Sequence, residues 1–264
     1  MNSGVIDIPW SLLLLFFSTL AIPLSINRYF RLNIERDIII SIVRMTIQLL
    51  MVGVYLEYLF NINNALINTV WLLIMTLIGA SAIISKANLP YKKLLYPVTT
   101  SLLISLVPIL AVLCVVIIKP VPLFNAQYII PLAGMLLGNS LSGNIVALQN
   151  LFTAIDSRRG EYEAAIALGA SARFATQSFV SDAMKKSLAP TLASMTTTGL
   201  VTLPGMMTGQ ILGGASPIIA IKYQLLIMIA IFVVLSISLS LTLTLTIRNC
   251  INKEGKILVV FRPQ

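Results

Sequence analysis

The chain has 264 residues, of which 58% are hydrophobic and 10% charged, and its mean hydropathy is +0.95. Soluble globular proteins carry about 25% charged residues, so this composition lies outside the soluble range and predicts an integral membrane protein in the lipid bilayer. The net charge of +9 is explained by basic loops beside anionic lipid at an inner membrane surface. It requires no nucleic-acid partner.

Seven stretches are long and apolar enough to cross the hydrocarbon core, which takes about 20 residues of helix. One of them, from Ile38 to about Phe60, carries Arg44 and Glu57 near its ends, where long side chains reach the headgroups. The uncharged stretches are, in chain order, Ile8–Asn27, Asn61–Ser85, Leu94–Ile118, Pro120–Ile155, Ser187–Ile221 and Tyr223–Ile247. The sequence therefore predicts an all-helical, single-domain membrane protein over residues 1–264, with seven transmembrane helices.

The distribution of basic residues predicts the orientation, because cytoplasmic loops hold Lys and Arg in excess. With the N-terminus outside, every Lys and Arg except Arg44, Lys119 and Lys222 falls on the inner side. The external loops are then short, at about 61–65, 119–125 and 215–222. We predict an N-out, C-in protein of the inner or plasma membrane that acts within the bilayer and at its inner face.

The longest charged loop covers residues 156–186, between the fifth and sixth predicted helices. Its alanines favour helix, whereas Gly169 marks a break or close contact, so we predict two short helices joined near Gly169. This loop either lies on anionic lipid as an amphipathic segment or binds a soluble partner at the cytoplasmic face. The acidic residues of the loop are Asp156, Glu161, Glu163 and Asp182. Anionic lipid does not attract acidic side chains, so these residues favour the soluble partner.

The sequence Glu163-Ala164-Ala165, followed by Gly169, resembles the start of the EAA signature of ABC-transporter membrane subunits. In those proteins a coupling helix docks in a groove of the ATP-binding subunit. The later Ile-x-Leu-Pro part of the signature is replaced here by Phe-Val-Ser-Asp at 179–182. The resemblance implies a coupling or docking role for Glu163, Ala164, Ala165, Leu168 and Gly169.

A broader resemblance covers residues 28–248 and is densest at 130–139 and 199–224. These stretches contain Ile-Pro-Leu-Ala-Gly-Met from residue 130 and Gly-Leu-Val-Thr-Leu-Pro-Gly-Met-Met-Thr-Gly from residue 199. They resemble the FetB-type permeases, a family of small membrane subunits paired with a separate ATPase and associated with iron export. Plant relatives in this family are linked to aluminium tolerance.

The resemblance implies a transport subunit, not an enzyme, within an ATP-driven ABC transporter that exports iron or a metal-related solute. It also implies a homodimer with two ATP-binding subunits, which would bind ATP and Mg, and no cofactor in this chain. The chain indeed contains no Gly-x-x-x-x-Gly-Lys-Ser/Thr phosphate loop. The competing classes are an autonomous secondary carrier or channel, which internal repeats would favour, and a membrane scaffold without transport.

Small residues recur every four positions on two predicted helices, which gives each a smooth face suited to helix packing. These residues are Gly134, Gly138 and Ser142 on one helix, and Gly205, Gly209 and Gly213 on the other. Polar and soft side chains beside them are costly in hydrocarbon unless they meet a partner or a cavity, and Pro204 adds a local break. The candidate pathway residues are Asn139, Asn144, Met206, Met207 and Gln210.

The donor set predicts a weak transit site for a metal, or a route for a metal complex, instead of a closed metal site. The chain has no His, and its two cysteines, Cys114 and Cys250, are not clustered. Methionine sulfur suits soft metals, whereas amide oxygens suit harder ones; for Met206 and Met207, plain packing is the competing interpretation. Arg44 and Gln48 lie one helical turn apart and are either a contact for an anionic substrate or interfacial residues.

Overall fold

The computed structural model describes residues 7–252 and 255–258, and over these residues the chain is built from helices. The predicted all-helical fold is confirmed. The helices are α1 (Trp10–Phe17), α2 (Ala21–Tyr29), α3 (Glu35–Ile62), α4 (Ala65–Lys86), α5 (Tyr91–Ala111), α6 (Ala126–Ser157), α7 (Arg159–Ala167), α8 (Ala172–Ala175), α9 (Gln177–Thr197), α10 (Gly205–Leu212) and α11 (Pro217–Cys250). A 3₁₀ turn at Ser18–Leu20 joins α1 to α2, and a π-helical segment at Val112–Ile118 continues α5. Lys253 and Arg262, which the sequence assigned to the inner side, lie outside the described residues.

Six helical stretches in the described part of the chain are long and apolar enough to cross a membrane. They are Trp10–Tyr29, Glu35–Ile62, Ala65–Lys86, Tyr91–Ile118, Ala126–Ser157 and Pro217–Cys250. Each coincides with one of the predicted spans, because a run of apolar residues of this length satisfies its backbone within a helix. The chain is a multi-pass membrane protein.

The remaining predicted span, Ser187–Ile221, does not form one continuous helix. Helix α9 ends at Thr197, α10 begins at Gly205, and residues 217–221 already belong to α11. Two residues account for the break: Gly199 has φ +90, which only glycine adopts readily, and Pro204 has no N–H to continue a helix. The predicted external loop 215–222 is consequently shorter, and Lys222 lies within α11.

The core lies where α4, α5, α6, α9 and α11 pack together, with α11 in contact with α5, α6, α9 and α10. Helices α5 and α11 each present one stripe of buried aliphatic side chains to their neighbours, at helical spacing. On α5 this stripe is Leu94, Val98, Leu102 and Leu106, and on α11 it is Val234, Leu235, Leu239 and Leu243. The described C-terminal residues 255–258 lie beside the start of α5, where Lys93 Nζ donates to the Leu258 carbonyl at 3.1 Å.

Helices α1 to α3 lie at the edge of the bundle, and of the 28 residues of α3 only Leu59 is buried. Helix α3 is attached through Leu59, which packs with Ala126 and Ile130 in a small separate cluster. The rings of Tyr55 and Trp71 lie 4.3 Å apart beside it. Helices α1 to α3 therefore contribute little to the main packed core.

Candidate functional site

A cavity of about 230 Å³ lies between α6, α9 and α11, and we call it the α6–α9 cavity. Its lining combines hydroxyl and amide side chains with apolar ones. The polar residues are Asn139, Ser142, Ser187, Thr191 and Ser194, and the others are Gly143, Val146, Pro190, Met228 and Ile231. A cavity of this size, with hydroxyl and amide groups in a largely apolar lining, is suited to a small solute and its water.

The polar lining follows from helical spacing on two elements. On α9, Ser187, Thr191 and Ser194 recur at four and three positions, so they share one face. Pro190 on the same face lacks the N–H that would bond to the carbonyl of Lys186, which leaves that backbone oxygen without its helical partner. The sequence prediction missed this α9 stripe, although Ser and Thr at helical spacing in an uncharged run were a usable signal.

Asn139 is the one predicted pathway residue that lines this cavity. Its amide nitrogen donates a hydrogen bond of 2.8 Å to the Met135 carbonyl, one turn earlier on α6. This bond uses one amide hydrogen and leaves the amide oxygen and the second hydrogen for a solute. Asn139 is solvent-accessible in the single chain, as a transit ligand must be.

Asn144 lies elsewhere, fully buried between α6 and α11. Its amide nitrogen donates to the Ser140 carbonyl at 2.8 Å and to Ser238 Oγ at 2.9 Å. The second bond joins residues 94 positions apart in sequence and holds the two helices together, as polar side chains commonly do inside membrane bundles. Asn144 does not line the α6–α9 cavity.

Met206, Met207 and Gln210 lie on α10, beyond the break, and none of them lines the α6–α9 cavity. Met206 packs against the main hydrophobic core. Gln210 has a buried amide oxygen with no hydrogen-bond partner among the described residues. The structure thus separates the predicted pathway residues into Asn139 on α6, the buried Asn144, and a group on α10.

The predicted packing glycines have few neighbours within the single chain. A Cβ at Gly134 would meet Met75 at 3.6 Å, whereas one at Gly138, Gly205 or Gly209 would meet no other described residue within 4 Å. A Cβ at Gly213 would approach only carbonyls of its own helix. The close approach occurs instead at Gly143, where a Cβ would clash with Leu235 of α11. Packing at the predicted positions stays a prediction.

The segment between α6 and α9 folds as two short helices, α7 and α8, with Gly169 at φ +87 between them, as predicted. We call residues 158–176 the coupling segment. Of the predicted docking residues, Glu163, Ala164, Leu168 and Gly169 are exposed and Ala165 is half-buried. Leu168 is 89% exposed, and Phe174, which the sequence prediction missed, is 71% exposed.

The other side of α7 is anchored to the protein. Tyr162 is buried, and its hydroxyl donates a hydrogen bond of 2.7 Å to the Gly255 carbonyl. Burial raises the pKa of the Tyr162 hydroxyl above its ordinary value, so the group stays a neutral donor. The side chain of Ile166 lies directly against Gly255.

Arg158 joins the start of α7 to α9. Its Nε donates to Glu161 at 3.0 Å, its guanidinium lies 3.8 Å from the Asp182 carboxylate, and it covers the Phe179 ring at 4.7 Å. The hydrogen bond from Arg158 lowers the pKa of Glu161 below its ordinary value. Glu163 accepts a bond of 2.8 Å from Arg159. Contacts of Tyr162 and Arg158 therefore hold the coupling segment against the rest of the protein, while Leu168 and Phe174 remain exposed.

Two further observations bear on ligands. Among residues 7–252 and 255–258, no group of three His, Cys, Asp or Glu side chains could hold a metal ion. Arg44 and Gln48 border a separate shallow recess on α3, with Ile39, Ile40, Val43 and Ile47. The oxygen donors of the α6–α9 cavity are hydroxyl and amide groups, which suit hard or hydrated cations.

The sequence of the chain is similar to those of several known proteins, one of them described as a membrane protein and one as a permease. The chain is 34% identical over 207 residues to the UPF0014 membrane protein YjkA of Bacillus subtilis, covering 78% of this chain and 81% of that protein. It is 36% identical to the protein ALUMINUM SENSITIVE 3 of Arabidopsis thaliana, covering 79% and 74%. It is 31% identical to the probable iron export permease protein FetB of Escherichia coli, covering 78% of each.

No solved structure is detectably similar to the chain. The model of the uncharacterised protein family UPF0014 matches residues 10–251, nearly the whole chain. The match includes the spans, the coupling segment and the helices around the α6–α9 cavity. The chain therefore belongs to the UPF0014 family of membrane proteins, with the FetB-type permeases among its relatives.

Proposed function

We propose that this protein is the membrane-spanning subunit of an ATP-driven ABC transporter that exports iron or a related metal species. One observation carries the proposal: the coupling segment exposes Leu168 and Phe174 on a base that Tyr162 and Arg158 anchor to the bundle. Large apolar side chains exposed outside the membrane spans indicate a protein-binding surface. Because the coupling segment is held against the bundle, its exposed surface can pass the movement of a bound partner on to the bundle.

The partner in this proposal is a separate ATP-binding subunit, which binds ATP and Mg. Its closure would press on the coupling segment at Leu168. The Arg158 contacts with Asp182 and Phe179 would carry this movement to α9, whose Ser187, Thr191 and Ser194 line the α6–α9 cavity. Movement of α9 against α6 would then alternate the access of a solute held near Asn139.

The orientation in this proposal is N-out and C-in, with α9 and α10 together forming a seventh, broken span. Thr197 lies 11 residues after Lys186, which is about 16 Å of helix and half of the hydrocarbon thickness. Irregular backbone at that depth needs protein or water around it. Leu200 and Val201 in the break are 90% and 80% exposed, which supports a homodimer with the second copy packed there.

Two relatives support a metal substrate. The Escherichia coli relative is described as a probable iron export permease, and the Arabidopsis relative is named for aluminium sensitivity. Iron and aluminium ions in their common trivalent states are hard cations that prefer oxygen donors. Asn139 and the three hydroxyl side chains of α9 supply such donors, with room for water, which fits a weak transit site.

The test is the substitution Leu168→Ser in the complete transporter. Leu168 makes little contact within the chain, so we expect normal insertion and thermal stability, together with loss of ATPase association and about a tenfold or larger loss of transport, as for an apolar interface anchor. Co-purification of the ATP-binding subunit and transport-linked ATP hydrolysis in proteoliposomes are the measurements. Val121→Ser, at a 92% exposed position outside the coupling segment, is the control.

Normal ATPase binding and stimulation by Leu168→Ser would remove the docking role of the coupling segment. Transport by the purified protein alone, without any ATP-binding subunit, would instead establish an autonomous secondary carrier or channel. A membrane scaffold would carry out no transport, and the α6–α9 cavity would then have no solute to bind. The expected result is transport only when both subunits and ATP are present.

A further inference from the structure

A second cavity of about 230 Å³ lies outside the proposed solute route, where α8 and the start of α9 meet the end of α11. We call it the α8–α11 cavity. It is lined by Arg173, Gln177, Val180, Thr244, Ile247 and Arg248. Arg173 precedes α9 in the coupling segment, and Arg248 is in the last turn of α11, so two distant parts of the chain each contribute a guanidinium.

Neither guanidinium has a carboxylate partner within 4.0 Å among the described residues. The ion pairs of this region involve other arginines, since Glu161 and Asp182 lie against Arg158 and Glu163 lies against Arg159. Two like charges around one cavity repel each other, and an anion between them is attracted to both and so offsets their repulsion. Guanidinium groups also match the geometry of phosphate oxygens, to which they donate two parallel hydrogen bonds.

The remaining lining gives the cavity two chemically different parts. Val180 and Ile247 are partly buried and pack against the main hydrophobic core, and Thr244 lies one turn before Arg248 on α11. Gln177 is the first residue of α9, whose N-terminal end has no side-chain cap. The arginines and Gln177 thus form a polar rim above an apolar floor, at the end of a membrane span where phospholipid headgroups lie.

From this arrangement we infer that the α8–α11 cavity binds a phosphate-bearing anion, either the headgroup of an anionic phospholipid or a free phosphate. The anion bridges Arg173 and Arg248 and thereby ties the coupling segment to α11. Bound there, it holds the coupling segment in place against the bundle. The inference concerns a site distinct from the solute route and does not depend on which solute is transported.

The experiment uses the purified full-length protein without an ATP-binding subunit. Thermal unfolding is measured in nanodiscs of phosphatidylcholine alone, of phosphatidylcholine with phosphatidylglycerol, and of phosphatidylcholine with added inorganic phosphate. Bound phosphatidylglycerol is counted by native mass spectrometry. The variants are Arg173→Gln, Arg248→Gln and both together, and Lys185→Gln with Lys186→Gln is the control, since these exposed basic residues of α9 do not line the cavity.

We expect phosphatidylglycerol to raise the unfolding temperature of the wild type and the lysine control, and to do so far less for the double arginine variant. Each lost guanidinium should weaken retention of the bound lipid by about tenfold, which is the effect of one charge-assisted hydrogen bond. The same stabilisation by inorganic phosphate, again lost in the arginine variants, would identify a free anion as the ligand. Stabilisation by phosphatidylglycerol alone would identify the lipid.

An equal response of wild type and arginine variants to both anions would overturn the inference, and so would an equal loss in the lysine control, which would indicate a diffuse surface charge effect. Should the double variant fail to fold, the single variants and Arg173→Lys decide the question. Lysine keeps the charge but not the paired donors, so Arg173→Lys should lose part of the stabilisation. Full retention by both single variants and by Arg173→Lys would also overturn the site.

Discussion

Tyr162 illustrates how a single residue can join the coupling segment to the bundle. Its ring is buried against the core, and its hydroxyl satisfies the Gly255 carbonyl beyond the end of α11. Ala164 and Ala167 on α7 and Leu168 directly after its end are exposed, so α7 has one anchored side and one exposed side. In the proposed transporter, the exposed side can transmit the movement of a partner because the buried side holds α7 against the bundle.

Tyr162→Phe should lower the free energy of unfolding by about 1 kcal/mol, since it removes one hydrogen bond and leaves a partly buried carbonyl without its donor. We expect membrane insertion to be unchanged and transport-linked ATP hydrolysis to fall. Denaturant unfolding and ATPase stimulation measure the two effects. Tyr29→Phe, at an 82% exposed position, should change neither quantity; equal effects at both positions would contradict the anchoring role.

Asn139→Leu should reduce transport severely while leaving folding intact, because Asn139 lines the α6–α9 cavity and, among the described residues, bonds only within its own helix. The matched control is Asn150→Leu, since Asn150 makes the same one-turn bond at 2.8 Å on α6 but does not line the cavity. Transport assays in proteoliposomes give the comparison. Equal activity of the two variants would remove Asn139 from the route.

Replacing Met206 and Met207 by Leu should affect transport less than Asn139→Leu, because these methionines lie on α10 away from the cavity. Leucine conserves volume, so folding should change little. Metal transport and thermal unfolding of the double variant are the measurements. A stronger transport defect than that of Asn139→Leu would move the metal route to α10.

At the scale of elements, α6 is the helix against which α4, α9 and α11 all pack. Its glycines have different neighbours on different faces of the helix. Gly143 faces Leu235, which is buried at 1% exposure and cannot easily move aside, whereas Gly138 faces open space in the single chain. The contact of α6 with α11 therefore depends on a glycine that the regular small-residue spacing does not include.

Gly143→Val should destabilise the protein by about 1 to 3 kcal/mol through overpacking against Leu235, whereas Gly138→Ala should cost little in the isolated chain. Unfolding in detergent measures both. Adding Leu235→Ala to Gly143→Val should recover part of the loss, because the added methyl groups then have room. Equal destabilisation by the two glycine variants would show that α6 and α11 are not in close contact at Gly143.

At the scale of the whole molecule, the arrangement has a compact group of five packed helices and a loosely attached edge formed by α1 to α3. The break between α9 and α10 opens on the exposed surface at Leu200 and Val201. In the proposed transporter, other copies or subunits pack against these two surfaces. The proposed orientation then decides on which side of the membrane each surface works.

A cysteine introduced at Ser216 should react with an impermeant thiol reagent added outside intact cells, whereas one at Ser157 should react only after the membrane is opened. Both positions are exposed, and the native Cys114 and Cys250 are buried, so background labelling should be low. The reversed pattern would establish the opposite orientation.

Composition and hydropathy by themselves determined that this is a multi-pass helical membrane protein and where six of its spans lie, because each such helix satisfies its own backbone. The turn at Gly169 was also readable, since glycine is the residue that adopts its positive φ. Residues 187–221 were predicted as one span because the criterion was the length of an uncharged run, which does not detect a break in the helix. Gly199 and Pro204 within the run nevertheless indicated that break.

Only the tertiary structure decided which polar residues meet. It joined Asn144 to Ser238 across 94 positions, brought Asn139 beside the α9 stripe, and put Arg173 and Arg248 around one cavity. It also moved the close helix contact to Gly143. The physical reason is that helical periodicity fixes the residues that share one face of a helix, whereas the neighbour of that face depends on how distant helices pack.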